Sequence, residues 1–229
     1  GGLANAWAFG SDTVTAATTL YAKWNANTDT AYTVEHYQQD VDGTGYGTYL
    51  TDNLTGTTDT EVTALANSYT GFTENTTHIG RIPIGTVAAD GSLVLKLYYD
   101  RNTYTVSFME NEGSTVSDLT GVRYGAKITA PTAPTRTGYS FGGWYKDGGL
   151  ANAWAFGSDT VTAATTLYAK WSPNTDTAYT VEHYQQDVGG SGYTRYETEA
   201  KTGTTATFVT ATAKVYLGFA ENTSYASRI

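Results

Sequence analysis

A chain of 229 residues, 40% hydrophobic and 14% aromatic, has the material for one large domain or two to four small ones and is too apolar for disorder. The formal charge of −9, with no basic run, argues against nucleic acid or an anionic membrane surface as partner. The absence of cysteine excludes disulfides, thiol catalysis and cysteine-ligated zinc, without assigning a compartment.

Self-similarity organises the chain. Gly1–Trp24 recurs letter for letter at Gly148–Trp171, an offset of 171 − 24 = 147. Thr28–Val41 returns at Thr175–Val188, and the register holds as far as Arg81-Ile82 against Arg228-Ile229. Polar, turn-rich seams at Asn25–Thr30 and Ser172–Thr177, and a tight joint at Tyr99–Thr103, divide the period in two. The expected organisation is the C-terminal part of a module A (1–24), a module B (25–102), a complete module A (103–171) and a truncated module B (172–229).

In chain order, Leu20, Ala22 and Trp24 alternate with polar residues, as do Tyr32, Val34 and His36. Period two is the mark of a strand with one packed face. Val62, Leu65, Ala66 and Tyr69 have helical spacing behind a Thr58…Glu61 capping-box pattern, which predicts a short helix. Leu93, Leu95, Leu97 and Tyr99 alternate next, followed by Tyr104, Val106 and Phe108. Thr fills roughly a fifth of the chain and favours strands and turns. Aliphatics are sparse, so 19 Tyr and 5 Trp carry much of the burial, which suits several small cores. No stretch reaches the roughly 18 apolar residues of a spanning helix, so no membrane insertion is expected within this segment. No signal peptide stands at the start, which says nothing of a longer parent when the chain begins and ends inside repeats.

Module A resembles the Listeria–Bacteroides repeat, the B-repeat type of internalin-like surface proteins. The resemblance rests on Tyr104–Gly113, on Val122–Asp147 with its GY-x-F-x-GW run, and on the closing Thr165–Trp171. It departs at the first turn, where Asn111-Glu112-Gly113 replaces a usual glycine pair. Module B, with YTVEHYQQD, a Gly71-Phe72 step and DGSLVLKLYYDRN, resembles the MucBP-type modules of Gram-positive adhesins. Together these resemblances imply mainly β, α+β modules of β-grasp-like form in an elongated tandem array. They also imply a place on the bacterial cell surface and no catalytic residues.

Candidate sites divide between a chemical and a structural reading. Asp12, Asp159, Asp29 and Asp176 stand in Ser-Asp-Thr or Thr-Asp-Thr contexts, where Asp bonds its own backbone more often than it serves as half of a hydrolase pair. Asp40 and Asp42 with Gly43 and Gly45 look like half a calcium loop, but the second repeat has Gly189 where a ligand would stand, so a hairpin turn is the better reading. His36, His78 and His183 lack companions for a metal site and read as strand or surface residues. The Gly-rich runs 43–47 and 141–149 precede no helix and read as hairpins, not phosphate cradles. Sequons at Asn53, Asn75 and Asn222 are matches that a Thr-rich chain produces by chance. Trp7, Trp144 and Tyr145 could stack on sugars, but a module of this size needs its Trp side chains inside. The ligand-facing aromatics to weigh are therefore Tyr21, Tyr98, Tyr168 and Tyr145, on the polar faces of their strands.

The expectation is a non-catalytic, extracellular spacer: part of a stalk, fibre or adhesin whose partners are neighbouring repeats of the same polypeptide or filament, with no cofactor. The alternative is an adhesive module that binds a surface glycan or host protein through exposed aromatics and strand edges. If the two ends are partial modules, Leu20, Ala22, Trp24, Val209 and Phe219 should be half-exposed within this chain and covered only by something outside it.

Overall fold

The computed structural model describes residues 6–225, so Gly1–Asn5 of the first repeat and the Arg228-Ile229 match lie outside the described residues. The twelve strands are β1 (Thr30–Gln39), β2 (Tyr46–Gly56), β3 (Glu61–Thr63), β4 (Phe72–Glu74), β5 (Ile84–Thr86), β6 (Val94–Arg101), β7 (Thr103–Met109), β8 (Leu119–Arg123), β9 (Tyr139–Tyr145), β10 (Thr165–Pro173), β11 (Thr177–Gln186) and β12 (Tyr193–Gly203). They form two four-stranded sheets, ordered β2-β1-β6-β4 and β8-β7-β10-β9, and two-stranded pairs β11-β12 and β3-β5. The chain divides into two compact units, residues 1–103 with 123–126, and residues 104–122 with 127–229.

The described residues hold no helix, which corrects the α+β expectation to all-β. The reason shows at Val62–Tyr69. Val62 enters β3, paired to Gly85 of β5. The Ala64 N–H donates to the Pro83 carbonyl at 2.8 Å. Val62, Ala64 and Tyr69 all pack on the first core from an extended path, while Leu65 points outward, 82% exposed. Partners about twenty residues further along the same chain satisfy the backbone, and β-branched neighbours weaken a helix that short in any case.

Both large sheets share one plan. A first strand (β1 or β7) has the next strand on one side and, on the other, a later strand running parallel to it (β6 or β10), and a further strand (β4 or β9) lies antiparallel beyond that. Period-two alternation decides what each face buries. Tyr32 and Val34 of β1, with Leu95, Leu97 and Tyr99 of β6, form the first core with Ala64 and Val87. Val106, Phe108, Trp144, Leu167 and Ala169 form the second with Ile128 and Val161. Coil segments carrying Trp154 and Phe156 cover that core where a helix could have done so.

Identical sequence does not fold identically. Thr165–Trp171 lies in β10, with Leu167 and Ala169 wholly buried. The same seven residues at Thr18–Trp24 form no strand, and Leu20, Tyr21 and Trp24 are exposed at 49%, 74% and 89%. Leu20, Val209 and Phe219 are about half-exposed, at 49%, 51% and 47%, as expected; Ala22 is exposed, and Trp24, at 89%, is exposed well beyond the expected half.

Candidate functional site

The densest polar chemistry lies inside the first sheet. His36, on the core face of β1, is completely buried. Its Nδ1 lies 2.9 Å from the Tyr99 hydroxyl and its Nε2 3.1 Å from Asp52 Oδ2. The Tyr99 oxygen also accepts the Asn67 backbone N–H at 3.0 Å, and the Asn67 amide donates to the Tyr69 hydroxyl at 3.1 Å. With the Tyr99 oxygen accepting from Asn67, its proton is free to go to Nδ1, which leaves the imidazole proton on Nε2 facing Asp52. Burial pushes the hydroxyls of Tyr99 and Tyr69 above the ordinary tyrosine range. Each member is satisfied by another, as a buried polar network must be.

The opposite face of the same sheet carries an aromatic stack. Parallel pairing sets Tyr37 beside Tyr98 and Glu35 beside Lys96. Tyr98 stacks on Tyr37 with centroids 4.8 Å apart and on His78 at 3.7 Å, while Tyr46 meets both Tyr98 and His78 edge-on. Tyr37 and His78 make no ring contact with each other, so each occupies one face of Tyr98. The Tyr37 hydroxyl bonds Glu35, which raises its pKa, and Lys96 lies 3.8 Å from the same carboxylate. Tyr46 bonds Asp100, which also accepts the Asn75 amide at 2.9 Å. Tyr98 therefore has little ring face left for a sugar.

In the second sheet, antiparallel pairing puts Tyr145 of β9 directly across from Tyr168 of β10, on the face away from the core. Both are half-buried, and Lys170 Nζ sits 4.9 Å over the Tyr145 ring. Trp144, one residue before Tyr145, points inward and is only 3% exposed, against Phe108 at 4.8 Å and Phe141 at 5.5 Å. Trp171 is half-buried, its indole N–H donating to the Glu110 carbonyl at 2.7 Å. Tyr21 is exposed, in a segment without strand.

The carboxylates are spent on turns. Asp12 Oδ2 accepts the Ala8 N–H at 2.8 Å, and Asp159 Oδ2 accepts the equivalent Ala155 N–H at 2.7 Å. Asp159 also takes Lys146 Nζ at 2.8 Å, which with the turn holds its carboxyl below the usual range. Asp42 Oδ1 accepts both the N–H and the hydroxyl of Thr44 at 2.9 Å, closing the β1–β2 hairpin, and these bonds lower its pKa. Asp29 and Asp176 are exposed ahead of β1 and β11. Asn75 and Asn222 make matching turns by accepting from Thr77 and Ser224. Among the described residues, no three His, Asp or Glu side chains gather as a metal group would require.

The second repeat rebuilds the hairpin. β11 and β12 pair in the register of β1 and β2, down to the irregularity after His183 that matches the one after His36. His183 Nε2 meets Glu199 Oε1 at 2.6 Å, as His36 meets Asp52. That bond, with Lys201 and Lys214 nearby, holds the Glu199 carboxyl at about 2. This His–acid pair is the feature that residue-by-residue reading misses. Its signal was present in the repeat: an acid stands sixteen positions after the histidine in both copies (52 − 36 and 199 − 183).

Among the described residues, no helix is long and apolar enough to cross a membrane. The chain is 34% identical over 180 residues to an Evansella cellulosilytica protein named "Putative membrane protein", a match covering 75% of this chain and 25% of that one. It is 32% identical over 203 residues to another protein of that organism, named "Putative Gly-rich membrane protein", covering 86% and 22%. The chain thus spans about a quarter of the length of the curated relatives it matches. Residues 104–170, the stretch carrying the GY-x-F-x-GW run and the closing motif as far as Lys170, match the Listeria-Bacteroides repeat domain.

Proposed function

We propose that this segment is a non-catalytic structural repeat of a bacterial cell-surface stalk, fibre or adhesin, acting as a semi-rigid spacer in an elongated array of alternating modules. The observation that carries the reading is the faithful rebuilding of the β1–β2 hairpin as β11–β12, register and irregularity included. A spacer needs units that repeat as structures, with their polar groups spent on holding each unit together. The membrane-protein names of the relatives and the repeat-domain match at 104–170 support a surface location. Module B as a MucBP-like partner of the repeat domain belongs to this same reading. Small-angle scattering tests it: a single globule of this length has a radius of gyration near ~17 Å, and the array should exceed that clearly. A value at or below it overturns the spacer.

The adhesive reading draws on the Tyr145–Tyr168 pair, two outward aromatics beside Lys170. A glycan array probed with the chain and with Tyr145→Ala, Tyr168→Ala tests it. Signal lost in the double variant supports adhesion, and no signal at all removes it.

A further inference from the structure

The chain has no cysteine, so no disulfide ties its strands, but it holds 19 tyrosines. Among the described residues of the first unit, four tyrosine pairs are in ring contact. Three of them, Tyr46–Tyr98, Tyr49–Tyr69 and Tyr69–Tyr99, meet edge-on, with ring planes 83°, 78° and 85° apart. The fourth, Tyr37–Tyr98, lies nearly parallel, with 11° between the planes and 4.8 Å between the centroids. That geometry has its cause in the sheet. β1 and β6 run parallel with Tyr37 and Tyr98 in register, so both side chains leave the same face in the same direction, one strand spacing apart. His78 stacks on Tyr98 at 3.7 Å and backs the ring. A Cβ on Gly80 would lie 2.8 Å from the Tyr98 hydroxyl, so glycine leaves that end of the ring its room. The Tyr37 hydroxyl donates to Glu35, a carboxylate able to take its proton. Both tyrosines are half-buried on the face away from the core, within reach of small solutes.

We propose that Tyr37 and Tyr98 are an oxidative cross-linking site, where a diffusible one-electron oxidant joins the two rings as dityrosine and staples β1 to β6. Two equivalents of the oxidant take one electron from each phenol. The Tyr37 proton passes to Glu35 and the Tyr98 proton to water, leaving two neutral phenoxyl radicals. The unpaired electron of a phenoxyl occupies orbitals perpendicular to the ring, with high density on the carbons ortho to oxygen. Face-to-face rings present those orbitals to each other, and edge-on rings do not. A bond forms between one Cε of each ring, and the hydrogens on those two carbons return as protons to the two oxygens. Two tyrosines thus give one dityrosine, two protons and two electrons, and the oxidant is reduced twice. The bond closes a loop between positions 61 apart (98 − 37), which removes freedom from the unfolded chain as a disulfide does. The site goes beyond the spacer reading and does not depend on it, since the staple would strengthen an adhesive module equally.

The test oxidises the whole chain, at low concentration, with photogenerated tris(bipyridyl)ruthenium(III) and maps its peptides by mass spectrometry. Dityrosine fluorescence should appear in the monomer, and the linked peptides should join Tyr37 to Tyr98 with a mass two hydrogens short. Tyr37→Phe and Tyr98→Phe keep the stacked rings without the phenol. Each should cut the monomer's dityrosine at least about tenfold, because coupling within the chain depends on rings already held in contact. Tyr49→Phe, in an edge-on pair, should leave the yield unchanged. The peptide map of the unmodified chain decides the site even where a variant fails to fold. In the linked monomer, amide exchange across β1 and β6 should slow at least about tenfold. The proposal falls if oxidation yields no dityrosine, or if the dityrosine forms mainly between chains. It falls equally if the linked peptides join Tyr46 to Tyr98 or Tyr69 to Tyr99 instead. A Tyr37–Tyr98 link that leaves exchange in β1 and β6 as it was also overturns it, since the bond is then no staple.

Discussion

Across the first sheet, the Tyr99 hydroxyl and His36 Nδ1 meet 2.9 Å apart at a point where neither residue is more than 1% exposed. The same hydroxyl accepts the backbone N–H of exposed Asn67 at 3.0 Å, so one oxygen serves two partners, of which His36 is buried. Tyr99→Phe keeps the ring and leaves Nδ1 of buried His36 without its partner. Unfolding by urea should show the variant about 1–3 kcal/mol less stable. A loss under about 0.5 kcal/mol would mean that water replaces the hydroxyl and the network is not closed.

The Glu199 carboxyl should titrate near 2 by carbon-detected NMR, displaced from 4.5 chiefly by its bond to His183. The sign follows from a depressed carboxylate: its contribution to the β11–β12 hairpin is complete above the unfolded value of 4.5 and is lost as pH falls toward about 2. Amide exchange in the hairpin should therefore accelerate across that window, and Glu199→Gln should remove the pH dependence. An ordinary titration near 4.5 would show that the 2.6 Å contact does not persist in solution.

Much of the strand content was legible because alternation is a local signal. Leu95, Leu97, Tyr99, Val106 and Phe108 face inward as their spacing requires. Alternation does not decide whether a strand forms at all: LYAKW is strand in β10 and irregular at Leu20–Trp24, because hydrogen bonds come from neighbours the local sequence does not contain. The helix predicted from Val62–Tyr69 failed for the same reason, its backbone being bonded to Pro83 and to β5. Of the four aromatics weighed as ligand-facing, Tyr145 and Tyr168 come together through antiparallel pairing. Tyr98 is sandwiched by Tyr37 and His78, a contact set by parallel pairing between strands 61 positions apart (98 − 37), which no local pattern reports.

Trp144 anchors the second core, and its indole N–H has no hydrogen-bond partner there. Its contribution is therefore packing, chiefly against Phe108 and Phe141. Trp144→Ala should cost about 3–5 kcal/mol, enough to unfold a small module, as read by near-ultraviolet circular dichroism and denaturant titration. A cost below about 1 kcal/mol would place the ring outside the core energetics.

The turn closed by the Gly113 N–H on the Glu110 carbonyl at 3.1 Å holds Asn111 and Glu112 at φ of 50° and 70°. Two successive left-handed residues make this a primed turn, which asparagine tolerates and glutamate resists. Glu112 gives an ion pair to Arg136 but is 78% exposed, so that pair contributes little. Glu112→Gly should raise stability by about 0.5–1 kcal/mol. A drop in melting temperature would show the ion pair to outweigh the backbone strain.

Gly71 and Gly218 are repeat equivalents with nearly the same backbone, φ of 80° and 82°. Their surroundings differ. A Cβ on Gly71 would lie 2.2 Å from Cγ of the Tyr124 ring, whereas one on Gly218 would meet nothing within 4 Å. The Tyr124 backbone is held beside Gly71: its N–H donates to the Asn102 carbonyl at 2.8 Å, and its carbonyl accepts Arg101 Nη1 at 2.9 Å, while its ring meets Phe72 edge-on at 6.1 Å. Each Gly→Ala change carries a left-handed penalty of about 1 kcal/mol. Gly71→Ala should add about 1–3 kcal/mol of overpacking to that, read as faster amide exchange in residues 99–103 and 123–126, which Gly218→Ala should leave untouched. Placing Gly71→Ala on a Tyr124→Ala background should return its cost to that of Gly218→Ala, isolating the ring contact by a double-mutant cycle. If the two alanines cost the same in the unmodified chain, Tyr124 does not occupy the Gly71 site in solution, and the assignment of residues 123–126 to the first unit fails with it.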